Sequence, residues 1–258
     1  MGCRVRAVVR LSVNVNKIAT LRNSRTAQAG DVSQGYPSVV EATRVCIEAG
    51  ATGITVHPRP DARHITLTDV RELAEFLVPH RDTVEYNIEG DPREDLMDLV
   101  EQVRPQQVTL VPVRPGEITS QAGWPADTPA GPMRRLIERM HGAGVRVSVF
   151  VDPEPAPIDW AADLGADRIE LFTEPFALAY ARDEAQGKAS FETYVAAAEH
   201  AHARGLGINA GHDLDAENLK LFGALPHLDE VSIGHAIIGD AVFEGLPAVI
   251  RRYLAVLP

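Results

Sequence analysis

Cysteine is scarce in this chain: Cys3 and Cys46 are the only two among 258 residues. Two isolated thiols supply neither a CxxC metal site nor a disulfide framework, and they suit a reducing compartment, so cytoplasm is the expected location. Positive charge is also short. Lysine and arginine number 25 against 36 aspartates and glutamates, a formal net charge of −11. That balance argues against a general nucleic-acid or anionic-membrane surface, so any anionic ligand must be captured locally. Long apolar runs are missing too. Arg10, Asn14 and Asn16 interrupt the opening stretch, and no segment reaches the roughly 18 apolar residues of a membrane span. Neither a signal peptide nor a transmembrane helix is expected.

What remains is a globular composition, 45% hydrophobic and 24% charged, with enough apolar mass for a full core. Short β-branched runs recur at 7–15, 53–56, 83–88, 107–111, 146–151, 168–172, 205–210 and 230–233. Amphipathic stretches at helical spacing lie between or after them, at 37–50, 67–80, 93–105, 132–144, 158–166, 191–205, 215–225 and 241–254. Gly50, Gly144, Gly165 and Gly205 fall near helix ends, where a left-handed residue costs glycine little. Eight strand-then-helix units predict an α/β fold with a parallel sheet, and eight is the number that closes a TIM (β/α)8 barrel. Such barrels run to about 250 residues, so 1–258 reads as one domain. An open doubly wound sheet is the competing fold, but no GxGxxG turn follows the first strand. Segments 120–132 and 173–190 read as long connections covering the active-site end.

Barrel enzymes carry their chemistry where strands end, and here those ends are polar. The first strand leads to Asn14, Asn16 and Lys17, the second to His57 and Arg59, and the third to Asn87 and Glu89. The fourth leads to Arg114, Glu117 and Thr119, the sixth carries Glu170 and Thr173, and the last two lead to His212 and His235. His57, His64, His212 and His235 follow strands, whereas His80, His141, His200, His202 and His227 read as solvated surface. Glu170 alternates with apolar Ile169 and Leu171 and should point inward, where a carboxylate needs a partner or a task. Glu89 is equally a helix-start charge or a general base. Gly234 and Gly239 frame a turn whose amides can cradle a phosphate at a helix start. Arg22, Arg25, Arg59 and Arg63 lie after the first two strands, where they suit phosphates.

Five segments together resemble the pyridoxine 5′-phosphate synthase family, barrel enzymes that close the pyridine ring of vitamin B6. They are VNVNKIATLRNSR at 13–25, GITVHPRPDARHI at 53–65, LVPVRPGEITSQAGW at 110–124, INAGHDL at 208–214 and SIGHAIIGDAV at 232–242. The resemblance implies a transferase-type condensation of 1-deoxy-D-xylulose 5-phosphate with 3-amino-2-oxopropyl phosphate, giving pyridoxine 5′-phosphate, phosphate and water. It implies no metal, no organic cofactor and no macromolecular ligand. By matched positions, His57 and Glu89 would accept protons, His212 would donate one, and Glu170 would support transition-state charge. Asn16, Lys17, Arg59, His64 and Thr119 would hold the deoxyxylulose phosphate. Asn14, Arg25, Gly234 and His235 would hold the amino-ketone phosphate, with Asp213 beside it. The family further implies helices added to the barrel and a homo-octamer built from dimers. Two departures stand out: Asn16-Lys17 occupies a place where many members carry Asp-His, and Asp213 one where glycine is common.

Other classes fit parts of the pattern. A metal-dependent barrel hydrolase would carry a His-x-His pair on the first strand, and none is present. An imine-forming aldolase would place a lysine on a strand inside the barrel, and strands two to eight carry none. An aldolase or isomerase acting on sugar phosphates by another route, or a non-catalytic sensor of phosphorylated ligands, shares the phosphate site and stays open on residues alone.

Overall fold

The structure, a computed structural model, describes residues 8–26, 35–113 and 120–258. Eight parallel strands close a barrel in sequence order, each paired with its neighbours and the last with the first. They are β1 (Arg10–Asn14), β2 (Gly53–Val56), β3 (Glu85–Gly90), β4 (Gln107–Leu110), β5 (Arg146–Val151), β6 (Arg168–Leu171), β7 (Gly207–Ala210) and β8 (Leu228–Ile233). The helices are α1 (Asn16–Thr26), α2 (Val39–Glu48), α3 (Leu67–Phe76), α4 (Glu94–Val103), α5 (Ala130–Gly142) and α6 (Pro155–Leu164). They continue with α7 (Glu174–Arg182), α8 (Glu184–Ala203), α9 (Leu219–Phe222), α10 (His235–Glu244) and α11 (Leu246–Val256).

Local chemistry explains the helix starts. Ser38 caps α2 by accepting from the Glu41 amide, and Thr66 with Asp69 forms a reciprocal capping box on α3. Proline is the first residue of α6 and the second of α7 and α11, first-turn positions where its missing N–H costs nothing.

The strand alternation divides the molecule into two interiors. Leu11, Val13, Ile54, Val56, Ile88, Val108, Val147, Val149, Ile169 and Val231 are buried in the apolar core they share with the helices. Most of the intervening residues are polar, and they pair between neighbouring strands: Ser12 with Thr55 at 2.8 Å and Thr109 with Asn87 at 3.0 Å. At the strand N-termini, Arg10 donates to Glu85 at 2.6 Å, Arg146 also donates to Glu85, and Arg168 donates to Asn209 at 3.1 Å. Barrels of this type usually fill that space with bulky aliphatics. Here a largely polar column, hydrogen-bonded only in part, runs from the strand starts to the mouth.

Several element boundaries differ from the sequence reading. Strand β3 runs two residues further than expected, so Glu89 lies within the strand rather than after it. The segment after β1 is helix α1, and Lys17 sits in its first turn rather than in a loop. The stretch read as a long connection at 173–190 is a helical hairpin: α7 and α8 meet at Asp183, whose carboxylate caps α8 by accepting from the Gln186 amide at 2.8 Å. The expected helix at 215–225 shrinks to the single turn of α9.

Candidate active site

At the C-terminal ends of the strands lies a cavity of about 450 Å³. His57, Glu89, Glu170 and His212, which come from β2, β3, β6 and β7 or the residues just beyond, all line it. So do Asn14, Asn16, Lys17, Arg59, His64, Asp213, Gly234 and His235. Arg25 is exposed in the last turn of α1 and is not among the lining residues. Thr119, Arg114 and Glu117 lie outside the described residues. The five histidines assigned to the surface, His80, His141, His200, His202 and His227, take no part in the lining.

Backbone and side chain together aim the groups of the first three strands. Asn14 Oδ1 accepts from the Asn16 amide at 3.1 Å, and Asn16 Oδ1 accepts from the His57 amide at 2.9 Å. Asn16 therefore ties the end of β1 to the residue that carries the imidazole. Beside them, His57 Nδ1 approaches Glu89 Oε2 at 3.7 Å, and Asn14 Nδ2 donates to the same oxygen at 3.4 Å. Arg93 fixes the loop after β2 by donating to the Pro58 carbonyl at 2.7 Å while pairing with Asp91 at 2.6 Å.

Electrostatics split the titratable groups. Burial, reinforced by the positive charges of Arg59 and Arg93, holds His57 well below the usual imidazole range, so it stays neutral. Burial and Arg63 likewise push His64 down to about 4, and its Nδ1 accepts from the Ile65 amide at 2.9 Å. Burial, with the charge of Glu230 second, pushes Glu89 up to about 8. Glu170 moves up for the same first reason, and Glu89 adds to it. His212 goes the other way. Burial pulls it down, but the Asp213 carboxylate, 2.9 Å from its Nδ1, followed by Glu170 and Glu174, outweighs that loss and leaves it raised. The cavity thus holds two neutral imidazoles, a third biased toward its cation, and two carboxyls biased toward their acids, the separation that acid and base roles require.

Three buried atoms, His57 Nε2, Glu170 Oε2 and Ser232 Oγ, have no hydrogen-bond partner among the described residues. An unsatisfied buried polar atom costs about 1–3 kcal/mol, and all three residues face space that a polar ligand can fill. Part of the wall is apolar: Val111 and Phe150 line it, and Phe172 joins them in a cluster separate from the main core, its ring 5.7 Å from that of Phe150. Gly234 precedes α10, whose first turn lacks a side-chain cap and opens on the cavity through His235 and Ala236. Free amides there favour an anion.

Sequence reasoning misassigned Arg22. Rather than reaching for phosphate from a loop, it is fully buried in α1 and grips Asp69 with two hydrogen bonds of 2.5 and 2.9 Å. Arg63 pairs with Asp61 at 3.6 Å and does not line the cavity. Conversely Ser120, Phe150, Asp215 and Ser232 line the site without having been singled out. For Phe150 and Ser232 the signal was available, because each occupies an inward register position, opposite Glu170 and Ser12 respectively.

A family described as pyridoxal phosphate biosynthesis protein PdxJ matches residues 11–258. The pyridoxine 5′-phosphate synthase of Porphyromonas gingivalis is 51% identical over 247 residues, covering 95% of this chain and 98% of the relative. The protein of the same name from Leptospira biflexa is 46% identical over 260 residues, covering 97% of each. Among solved structures, 3-hexulose-6-phosphate synthase from Salmonella typhimurium is similar with a TM-score of 0.64 at 15% identity, over 96% of this chain and 98% of that one. Phosphoribosyl anthranilate isomerase from Thermotoga maritima gives a TM-score of 0.58 at 16% identity, over 96% and 98%. At such identities the structural likeness speaks for the barrel alone.

Proposed function

The chain belongs to the PdxJ family and is an enzyme of vitamin B6 biosynthesis that makes pyridoxine 5′-phosphate, and from that premise we propose how its substrates and residues divide the work. The substrates are 1-deoxy-D-xylulose 5-phosphate and 3-amino-2-oxopropyl phosphate. The amine of one condenses with the ketone of the other, carbon loses protons, and phosphate and water leave as the ring closes. His57, held neutral, accepts a proton; Glu89, whose affinity for protons exceeds that of an ordinary carboxylate, accepts another; His212 donates one to a departing oxygen. Glu170 supports charge in the transition state.

One phosphate lies at the start of α10 against Gly234 and His235, near Asn14 and Asp213, and Arg25 assists. The other lies with Arg59, His64, Asn16 and Lys17. The wall of Val111 and Phe150 takes the flat face of the forming ring. What carries this reading is the convergence of His57, Glu89, Glu170 and His212, from four separate strands, on one cavity. Chelator-treated protein mixed with both substrates should yield pyridoxine 5′-phosphate by mass spectrometry. His57→Ala and His212→Ala should each lower turnover by roughly a hundredfold or more. No product above a protein-free control defeats the substrate assignment.

The same reading takes 1–258 as one cytoplasmic domain and the assembly as a homo-octamer, a tetramer of dimers. No helix among the described residues is long and apolar enough to cross a membrane. Phe243 at 91% and Val242 at 72% exposure on α10, with Leu21 at 56% on α1, supply apolar surface suited to a subunit contact. Light scattering of the purified protein tests it, and a monomer overturns it.

A further inference from the structure

We propose that Asp213 is a positioning residue that holds the His212 imidazole in its protonated, donating form, so that His212 and Asp213 act as one ion-paired dyad. The proposal rests on the proton-donor role assigned to His212 above. Its geometric basis is a separation of 2.9 Å between His212 Nδ1 and Asp213 Oδ2. Neighbouring residues do not ordinarily bring their side chains together, and the backbone explains why these do.

Asp213 has φ +66°, in the left-handed region that favours glycine. The turn around it is pinned from several sides. The Thr173 hydroxyl donates to the His212 carbonyl, Asn218 Nδ2 donates to the Asp213 carbonyl at 3.2 Å, and the Leu214 amide donates to the Gly211 carbonyl at 3.0 Å. Gly211 itself is pressed against β8, where an added Cβ would lie 1.9 Å from the Ser232 carbonyl oxygen. With the main chain held in this way, the reversal at Asp213 folds its carboxylate back onto the ring before it.

Two costs make the carboxylate informative. A non-glycine residue at positive φ is strained, and asparagine or glycine would sit there with less difficulty or none. A negative charge beside a cavity built for two phosphates opposes binding. Both are offset if the charge is spent on His212, leaving Nε2 as the donor toward the cavity.

Other charged groups act on the same ring: Glu170 from β6 and Glu174 from α7 favour its cation, while His57 is a second imidazole within electrostatic reach across the cavity. On the other side, His235 from α10 helps keep Asp213 ionised. Of these, only Asp213 forms an ion pair with His212. The two side chains are 40% and 37% exposed in the open cavity. Water therefore screens the pair now, and substrate filling the cavity strengthens it.

The test uses the full-length protein with Asp213→Asn and Asp213→Gly. Both residues tolerate the left-handed backbone, so thermal midpoints should equal or exceed that of the parent, which separates positioning from folding. Proton NMR follows the His212 Cε1–H signal, assigned by its absence in His212→Gln. Its titration midpoint should fall by about one pH unit in both variants, since an opposite charge at this distance is worth about 1–3 units. The alkaline limb of kcat/KM should fall by the same amount, with activity loss near tenfold at pH 8 and small at pH 6. A His212 midpoint within about 0.3 unit of the parent, or an unmoved alkaline limb, overturns the proposal. The NMR arm needs no turnover, so a parent protein that makes no pyridoxine 5′-phosphate would count against the function reading and leave the dyad test standing.

Discussion

Among individual residues, the site works by setting apart groups that would otherwise titrate together. Glu89 pushed up to about 8 is a carboxyl that is mostly protonated at neutral pH, yet as a base it must first lose its proton. Its active fraction therefore grows nearly tenfold per pH unit below that value. We expect kcat/KM of the parent to climb along an acidic limb set by Glu89 until loss of the His212 proton turns it down on the alkaline side, and Glu89→Gln to lose at least about a hundredfold. A flat profile below pH 8, measured with saturating co-substrate, contradicts the assignment of Glu89 as acceptor. Much of this cast was legible in the sequence. His57, Glu89, Glu170 and His212 each lie at or beside a strand's end, so the barrel register alone predicts that they converge. Arg22 was not legible, because an arginine in a polar segment after a strand looks the same whether it faces phosphate or a carboxylate from another helix. Only the position of Asp69, 47 residues away, decides it.

Helices and turns set the geometry that these residues need. Arg22 and Asp69 join α1 to the capping box of α3, where Asp69 also accepts from the Thr66 amide at 2.8 Å. Removing one partner strands the other as a buried charge, so Arg22→Ala should cost about 3–5 kcal/mol. At about 2–4 °C per kcal/mol for a chain of this size class, the thermal midpoint should drop by roughly 10 °C. The double replacement Arg22→Met with Asp69→Leu should recover part of that loss, and calorimetry on the three variants checks both statements.

The turn after β7 is sharper still. Because an alanine Cβ at Gly211 would meet the backbone of β8 rather than a side chain that can swing away, Gly211→Ala must displace His212. Turnover should fall about a hundredfold while the far-ultraviolet spectrum stays that of the parent. Element type was easier to read than element length. The eight strands followed from β-branched runs, but the α7–α8 hairpin was hidden because Asp183 and Gly187 interrupt its pattern in the way a loop would. Gly187 is there for packing: a Cβ on it would come within 3.0 Å of Tyr180.

For the molecule as a whole, the unusual feature is the location of charge inside the barrel. Near the strand starts, Glu85 satisfies Arg10 and Arg146, but Glu230 is 1% exposed, has no hydrogen bond to either oxygen among the described residues, and meets Arg10 only at 3.6 Å. Burial first and the charge of Glu85 second push it from an ordinary 4.5 up to about 8, with three arginines pulling against them. A carboxyl whose folded pKa lies above its unfolded one favours the folded state most when both states are protonated, below pH about 4.5. Between there and pH about 8 the unfolded chain releases its proton while the fold retains it, so the contribution declines with rising pH and is gone above the folded value.

Glu230→Gln keeps the shape and has no proton to lose. Its gain in stability over the parent should accordingly be small at pH 5 and largest at pH 8.5, read as the difference in urea midpoints at the two values. Glu230 also raises Glu89 through the polar interior. The same variant should therefore move the acidic limb of kcat/KM to lower pH although position 230 touches no substrate. An equal stability gain at both pH values together with an unmoved limb would show that Glu230 is ionised and paired with its arginines throughout, and that the two ends of the barrel interior are electrostatically independent.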